Sequence, residues 1–201
     1  MKLYVCWFTA PKVGPRPHPC GQAHDALKAA GYDFEVVYAR GWGILPDFLN
    51  EIVWAYDFGG RSKSLWPAKH DTILVYVKDP RRYYFDSAAV DREPYMAPGL
   101  VGPEKAARGK LPTDVWWHTI VSPTGREKTG YPTQKPEGIL RRIVQASTRE
   151  GDWVLDFFAG SGTTGAVAAT LGRRFVLVDE NPEAIAVMRA RFANIEGVEF
   201  A

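Results

Sequence analysis

The sequence predicts an α/β chain that carries part of a parallel, doubly wound sheet, with a short β-α-β segment ahead of it. Three observations predict this. An apolar strand at 153–156 turns through glycines into a helix of small residues. A second apolar strand, FVLV at 175–178, ends in Asp179 and leads into another helix. Residues 1–40 alternate strand, helix and strand. Strand, glycine turn, helix, strand, helix is the opening of a doubly wound sheet. The composition agrees: 201 residues, 46% hydrophobic, 24% charged and 13% aromatic, which exclude a disordered chain, a collagen and a coiled coil.

Taken in order, residues 2–8 (KLYVCWF) are β-branched and aromatic and predict a strand. Residues 9–19 hold four prolines and a glycine and predict irregular chain. Cys20–Ala30 places Ala23, Ala26, Leu27 and Ala30 at i, i+3, i+4 and i+7, closed by Gly31, which predicts a helix. Phe34–Tyr38 is a strand, and 41–49 a linker or short turn. Glu51–Tyr56 and Thr72–Val77 are strands around the polar loop GGRSKS. Residues 79–113, rich in Pro, Gly and charge, predict a long irregular excursion. Val115–His118 is a short strand. Pro136 fits the first position of a helix reaching about Thr148. Trp153–Asp156 is a strand, Gly162–Leu171 a helix, Phe175–Val178 a strand, Pro182–Phe192 a helix and Val198–Phe200 a last strand.

The longest apolar runs, such as Thr72–Val77, are far shorter than the roughly 18 residues of a membrane span. Met1–Phe8 runs into a Pro/Gly stretch without the apolar core of a secretory signal. Two cysteines, Cys6 and Cys20, are too few for a disulfide scaffold, so a reducing cytoplasm is expected. His18, His24, His70 and His118 lack ligand spacing, and no metal is expected. The net charge of +2 hides a gradient. Residues 1–50 balance at +1, residues 51–150 at +4 and residues 151–201 at −3. The basic middle also carries Trp54, Trp66, Trp116 and Trp117. That mixture suits a surface that neutralises phosphates and stacks on bases, and equally a solvated face over an aromatic core.

The sharpest local feature is VLDFFAGSGTTG at 154–165. Gly160 and Gly162 permit positive φ and close backbone approach, and the helix start that follows offers N–H groups to a carboxylate. Asp156, at the strand end, can accept from a ligand ammonium. Asp179, ending the next strand, stands where a ribose diol would lie. The turn has neither G-x-G-x-x-G spacing nor the Lys of a P-loop. A carboxylate, an ammonium and a ribose together describe S-adenosylmethionine.

With these residues in view, the segment from about Asn50 to Phe192 resembles the amino-methylating DNA methyltransferases, which modify adenine N6 or cytosine N4. It is similar in particular to the subgroup whose cofactor motif lies near the C-terminus. DFFAGSGTTG at 156–165 resembles the family's D-P-F-x-G-S-G-T-T, with Phe157 in place of Pro. GYPTQKP at 130–136 resembles its T-x-K-P element, VDENPEAI at 178–185 its acidic strand end, and KHDTILVYVK at 69–78 an inner strand with its approach. The resemblance implies a partial Rossmann-like S-adenosylmethionine-dependent methyltransferase sheet. It implies a cofactor site of Asp156, Phe158, Ala159, Gly160, Ser161, Gly162 and Thr163, with Ser161 and Thr163 helping to bind the methionine carboxylate. Asp179 would hold the ribose, and Thr133, Gln134 and Lys135 would close the site from the other side. Double-stranded DNA is the implied partner, met by Arg61, Lys63, Lys69, Arg126 and Lys128, in a cytoplasmic restriction-modification setting.

To alkylate an exocyclic amino group, an enzyme extrudes the base and clamps it. The family does this with a D/N/S-P-P-Y/F/W loop. No such loop occurs: DPRR at 79–82 and SPTG at 122–125 lack the second proline and the aromatic. No catalytic residue is therefore assigned. An incomplete methyltransferase is expected, with a partner chain supplying the other half, or a non-catalytic cofactor- and DNA-binding remnant. Residues 1–40 resemble the β-α-β opening of a thioredoxin-like domain, with Cys20 at the second cysteine position of C-x-x-C and Pro17 at the first. A thiol-linked redox protein is the third reading. The expected division is 1–45 thioredoxin-like and 50–201 methyltransferase, with strands and DNA-facing loops over 51–131 and the cofactor-binding part over 132–201.

Overall fold

The computed structural model describes residues 47–200. The expected β-α-β segment, its division at 45 and Cys20 lie outside the described residues.

Among the described residues, five strands form two sheets. In the first, β1 (Asp47–Ala55) is central, with β2 (His70–Val77) antiparallel on one side and β3 (Val115–Trp117) parallel on the other. The register pairs Trp54 with Asp71 across β2 and with Trp116 across β3. The second sheet is the parallel pair β4 (Trp153–Asp156) and β5 (Arg174–Leu177), with Asp156 opposite Leu177. The expected parallel arrangement holds for β1–β3 and β4–β5, while β2 runs against them. β1 starts four residues before Glu51, because Asp47 and Phe48 find partners in Val77 and Tyr76. The long excursion is largely irregular, as expected. It contains a single 3₁₀ turn at Pro98–Leu100, the short helix α1 (Pro103–Arg108) and a bridge between Glu93 and Lys110.

Helix α2 (Glu137–Ser147) buries Ile139, Leu140, Val144 and Ala146 on one face. Pro136 is its N-cap, one position earlier than expected. Proline has no N–H and no capping oxygen, so the cap comes from outside: the Glu127 carboxylate accepts the Glu137 amide at 2.7 Å. Helix α3 (Thr163–Thr170) is made of small residues because it lies against β5. A Cβ at Gly165 would come within 2.6 Å of Leu177 Cδ1. Helix α4 (Pro182–Phe192) occupies the expected span. Asn181 Oδ1 caps it by accepting the Glu183 amide at 2.9 Å, and Pro182 fills its first turn. Val198–Phe200 is not a strand; no neighbouring strand offers it a ladder among the described residues. Phe200 instead receives Arg189 over its ring at 4.5 Å, and Val198 packs on the core.

Two apolar cores result. One joins Trp54, Ile73 and Trp116 of the first sheet to Ile139, Leu140 and Val144 of α2 and Val167 of α3. The other gathers Ala184, Met188 and Phe192 of α4 against Ala159, with Tyr131, Phe175 and Leu177 at its edge. Between α2 and β4 lies a largely apolar groove lined by Ile143, Val144, Val154 and Leu155, with Asp156 and Thr164 also in its wall. Among the described residues no helix is long and apolar enough to cross a membrane.

Candidate functional site

The site forms where β4 ends. Asp156 is the last residue of the strand, and its carboxylate turns back into the loop: Oδ1 accepts the Phe158 amide at 3.0 Å and Oδ2 the Thr164 hydroxyl at 2.6 Å. Burial pushes its pKa above the usual carboxylate range. The two hydrogen bonds pull the other way, and the nearby negative charge of Asp179 adds to the rise. Asp179 crosses from the end of β5: Oδ2 accepts the Gly160 amide at 2.7 Å and Oδ1 the Asn181 amide at 2.9 Å. Two carboxylates, one from the end of each strand, therefore hold one glycine turn.

The turn needs its glycines. Gly162 has φ +72°, and a Cβ there would meet Met188 Cγ and Phe192 Cε2 at 2.9 Å. Gly160 has φ +51° and lies under the Tyr131 ring, 3.1 Å from the position a Cβ would take. Ser161 and Thr163 are buried, with their hydroxyls 3.1 Å apart. Their side chains face inward, so what they can offer a ligand is backbone at the start of α3, where a helix leaves amides unsatisfied. Ala159 is buried in the core beneath, and Phe158 stands exposed at the rim.

The second wall is the segment before α2. Lys135 connects it in two directions. Its carbonyl accepts the Thr163 hydroxyl at 3.1 Å, and its ammonium meets Asp71 Oδ2 of β2 at 3.2 Å, 5.3 Å from the Trp54 ring centre. Tyr56 donates to the other oxygen of Asp71 at 3.2 Å. Burial, then the Asp71 charge and hydrogen bond, raise the Tyr56 phenol, which stays a donor. Gln134 folds the segment: it donates to the Glu127 carbonyl at 2.6 Å and accepts from Thr129 N and Oγ1 at 2.8 Å each. Thr133 is exposed.

The structure thus brings Asp156, Asp179, the glycine turn and Lys135 together. Sequence reasoning missed four residues of this cluster. Asp71 holds Lys135, and Tyr131 covers Gly160 and meets Asn181 Nδ2 at 3.4 Å. Arg191 reaches the Ser161 carbonyl at 3.2 Å and pairs with Glu137 at 2.6 Å. Tyr131, Asp71 and Asn181 sit inside the stretches GYPTQKP, KHDTILVYVK and VDENPEAI, so a signal for each was present; Arg191 had none. Of the expected DNA-facing cations, Arg61, Lys63, Arg126 and Lys128 are exposed, whereas Lys69 is half-buried and donates to the Gly59 carbonyl at 3.0 Å. The loops bearing them follow β1 and β3, whose parallel pairing puts them at the same strand ends. No group of three or more metal-ligating side chains occurs among the described residues.

A sequence model of the DNA methylase family, covering N6 and N4 methylation, matches residues 43–190. The chain belongs to this family. It is 39% identical over 144 residues to the DNA adenine methyltransferase YhdJ of Escherichia coli K12, covering 68% of this chain and 49% of that protein. It is 35% identical over 147 residues to the type II methyltransferase M.HpaI of Haemophilus parainfluenzae, covering 72% and 45%. The chain thus spans about half the length of these curated relatives. Among solved structures, the complex of M1.HpyAVI with S-adenosylmethionine superposes with a TM-score of 0.52 at 25% identity, over 74% of this chain and 63% of that one. The cytosine-N4-specific PvuII methyltransferase superposes at 0.51 and 16% identity, covering 76% and 54%, a likeness of fold. The fold is that of the Rossmann-like S-adenosylmethionine-dependent methyltransferases.

Proposed function

We propose that this chain binds S-adenosylmethionine at the turn from Asp156 to Thr164 and forms the cofactor-binding part of an amino-methylating DNA methyltransferase. The observation that carries this reading is the glycine turn clamped by Asp156 and Asp179 and tied through Lys135 to β2. The donor set fits the cofactor: helix-start amides for the carboxylate, Asp156 for the ammonium, Asp179 for the ribose hydroxyls and exposed Phe158 at the rim. Each carboxylate keeps lone pairs beyond those the turn amides use. When bound, the cofactor supplies an electrophilic methyl group. The residues of this chain orient it, and Lys135 with Asp71 keeps the opposite wall in place.

Duplex DNA, with adenine N6 or cytosine N4 as target, is the substrate we infer, approached by Arg61, Lys63, Arg126 and Lys128, with Lys69 bracing the loop of Arg61 and Lys63. Such a substrate places the work in the cytoplasm, and the type II relatives suggest a restriction-modification setting. Titration calorimetry with S-adenosylhomocysteine tests the cofactor reading, and absence of heat at high micromolar protein overturns it. Methyl transfer is a separate question. The 201 residues hold no D/N/S-P-P-Y/F/W loop. We therefore expect little transfer of radiolabelled methyl to duplex DNA by this chain alone, and transfer restored by a chain that carries the loop. Robust methylation by the pure protein contradicts that expectation. A non-catalytic cofactor- and DNA-binding subunit is the second reading, and the absent loop is what favours it.

A further inference from the structure

The β1–β2 loop, residues 57–69, projects the most exposed tryptophan described. Trp66 is 96% exposed and its neighbour Leu65 68%. Leaving an indole in water forgoes a large burial free energy, so an exposed one marks an interaction surface more often than a packing accident. The loop that presents it is braced. Ser62 Oγ accepts the amides of Ser64 and Leu65 at 3.2 Å each, Lys69 donates to the Gly59 carbonyl, and Pro67 stiffens the descent.

The company Trp66 keeps decides the partner. Arg61 and Lys63 are exposed in the same loop, whose only acid is Asp57 at its base. An apolar protein surface or a lipid acyl layer complements the indole but leaves these cations unmatched. A polyanion that also offers planar apolar faces complements both. The loop leaves the C-terminal end of β1, beside Asp71, and Asp71 is joined through Lys135 to the cofactor turn. Whatever Trp66 touches therefore lies on the side where chemistry would occur.

We propose that Trp66, with Leu65 behind it, is a wedge that enters the base stack of duplex DNA, while Arg61 and Lys63 hold the flanking phosphates. Proteins that insert apolar side chains between base steps unstack and kink the duplex, and an unstacked step lowers the cost of extruding a neighbouring base. The inference rests on the DNA reading above and adds to it a residue that carries no charge.

The test compares wild-type protein, Trp66→Ala, Trp66→Phe and the double variant Arg61→Ala/Lys63→Ala. Each is titrated by fluorescence anisotropy against a short mixed-sequence duplex, between about 50 and 200 mM salt. A second duplex carries 2-aminopurine, whose emission rises on unstacking. Stacking is worth about 1–3 kcal/mol per base, so Trp66→Ala is expected to weaken binding about 5- to 150-fold with an unchanged salt slope. It should also abolish the 2-aminopurine rise, and Trp66→Phe should retain most of both. The double variant should flatten the salt slope by about 2. If Trp66→Ala binds as wild type while the double variant weakens, the wedge is overturned and the DNA reading stands. If wild type does not bind duplex at the lowest salt, both fall. If Trp66→Ala leaves DNA binding intact and instead dissociates a self-associated protein, the indole meets a second copy of the chain and the wedge is overturned. A matched thermal transition for each variant shows that the side chain at this exposed position does not support the fold.

Discussion

At Gly162 two costs coincide: φ is +72°, and the space beside its Cα belongs to Met188 and Phe192. An alanine pays about 1–2 kcal/mol for the left-handed backbone and more for pushing α4 outward. Gly162→Ala should lower the denaturant midpoint by the equivalent of about 2–4 kcal/mol. Asp156 makes a different prediction. Burial raises its folded pKa above the value of the unfolded chain, so the folded state holds more protons. Its contribution therefore falls as pH rises from the ordinary carboxylate range through the raised value, and levels off above it. Asp156→Asn should flatten that part of the stability–pH curve, measured by urea unfolding at a series of pH values. A ligand ammonium favours the ionised carboxylate, so cofactor affinity should climb over the same interval, with proton release visible in calorimetry across buffers. At Asp71, both carboxylate oxygens are occupied by Lys135 and Tyr56. The pair is half-exposed, so its stability value is modest, about 0–1 kcal/mol. Asp71→Asn should barely move the unfolding transition yet weaken S-adenosylhomocysteine binding several-fold, because it removes the ion pair between Lys135 and β2.

Among the elements, α3 depends on smallness. Gly165 has ordinary helical φ, so Gly165→Ala tests packing without backbone strain. Overpacking against Leu177, Phe192 and Phe175 costs about 1–3 kcal/mol, offset by about 1 kcal/mol of helix preference. The net loss by chemical denaturation should stay below that of Gly162→Ala. Elements of this kind were legible where local chemistry decided them. Asn181 followed by Pro182 marks the start of α4 without reference to anything distant, and VLD turning through AGSGTT marks β4, its turn and α3. The misreadings arose where a neighbour decided. β1 reaches back to Asp47 because β2 is there to pair with it. Val198–Phe200 has strand composition and no ladder. Pro136 lies one step outside its helix because Glu127, ten residues before Glu137, supplies the cap. The contacts that complete the site span still greater distances, 64 residues for Asp71 to Lys135 and 54 for Glu137 to Arg191, and no local pattern announces them.

Over the whole molecule, charge is sorted by role. Exposed cations of the basic middle lie in the loops after β1 and β3, and the acidic C-terminal third supplies the carboxylates of the glycine turn. If Arg61, Lys63, Arg126 and Lys128 all neutralise phosphates, the logarithm of DNA affinity should fall with the logarithm of salt at a slope near −3.6, from about −0.9 per contact. A much shallower slope in a titration would leave the loop after β3 out of the interface. Lys135 adds something that charge alone does not. One residue has its carbonyl on the glycine turn and its ammonium on the strand beside the basic loop, so on the proposed function both ligands would act on a shared post. Thermodynamic linkage then makes the influence mutual: by whatever factor cofactor tightens DNA, DNA must tighten cofactor by the same factor. Cutting the post at Asp71 should drive both factors towards one.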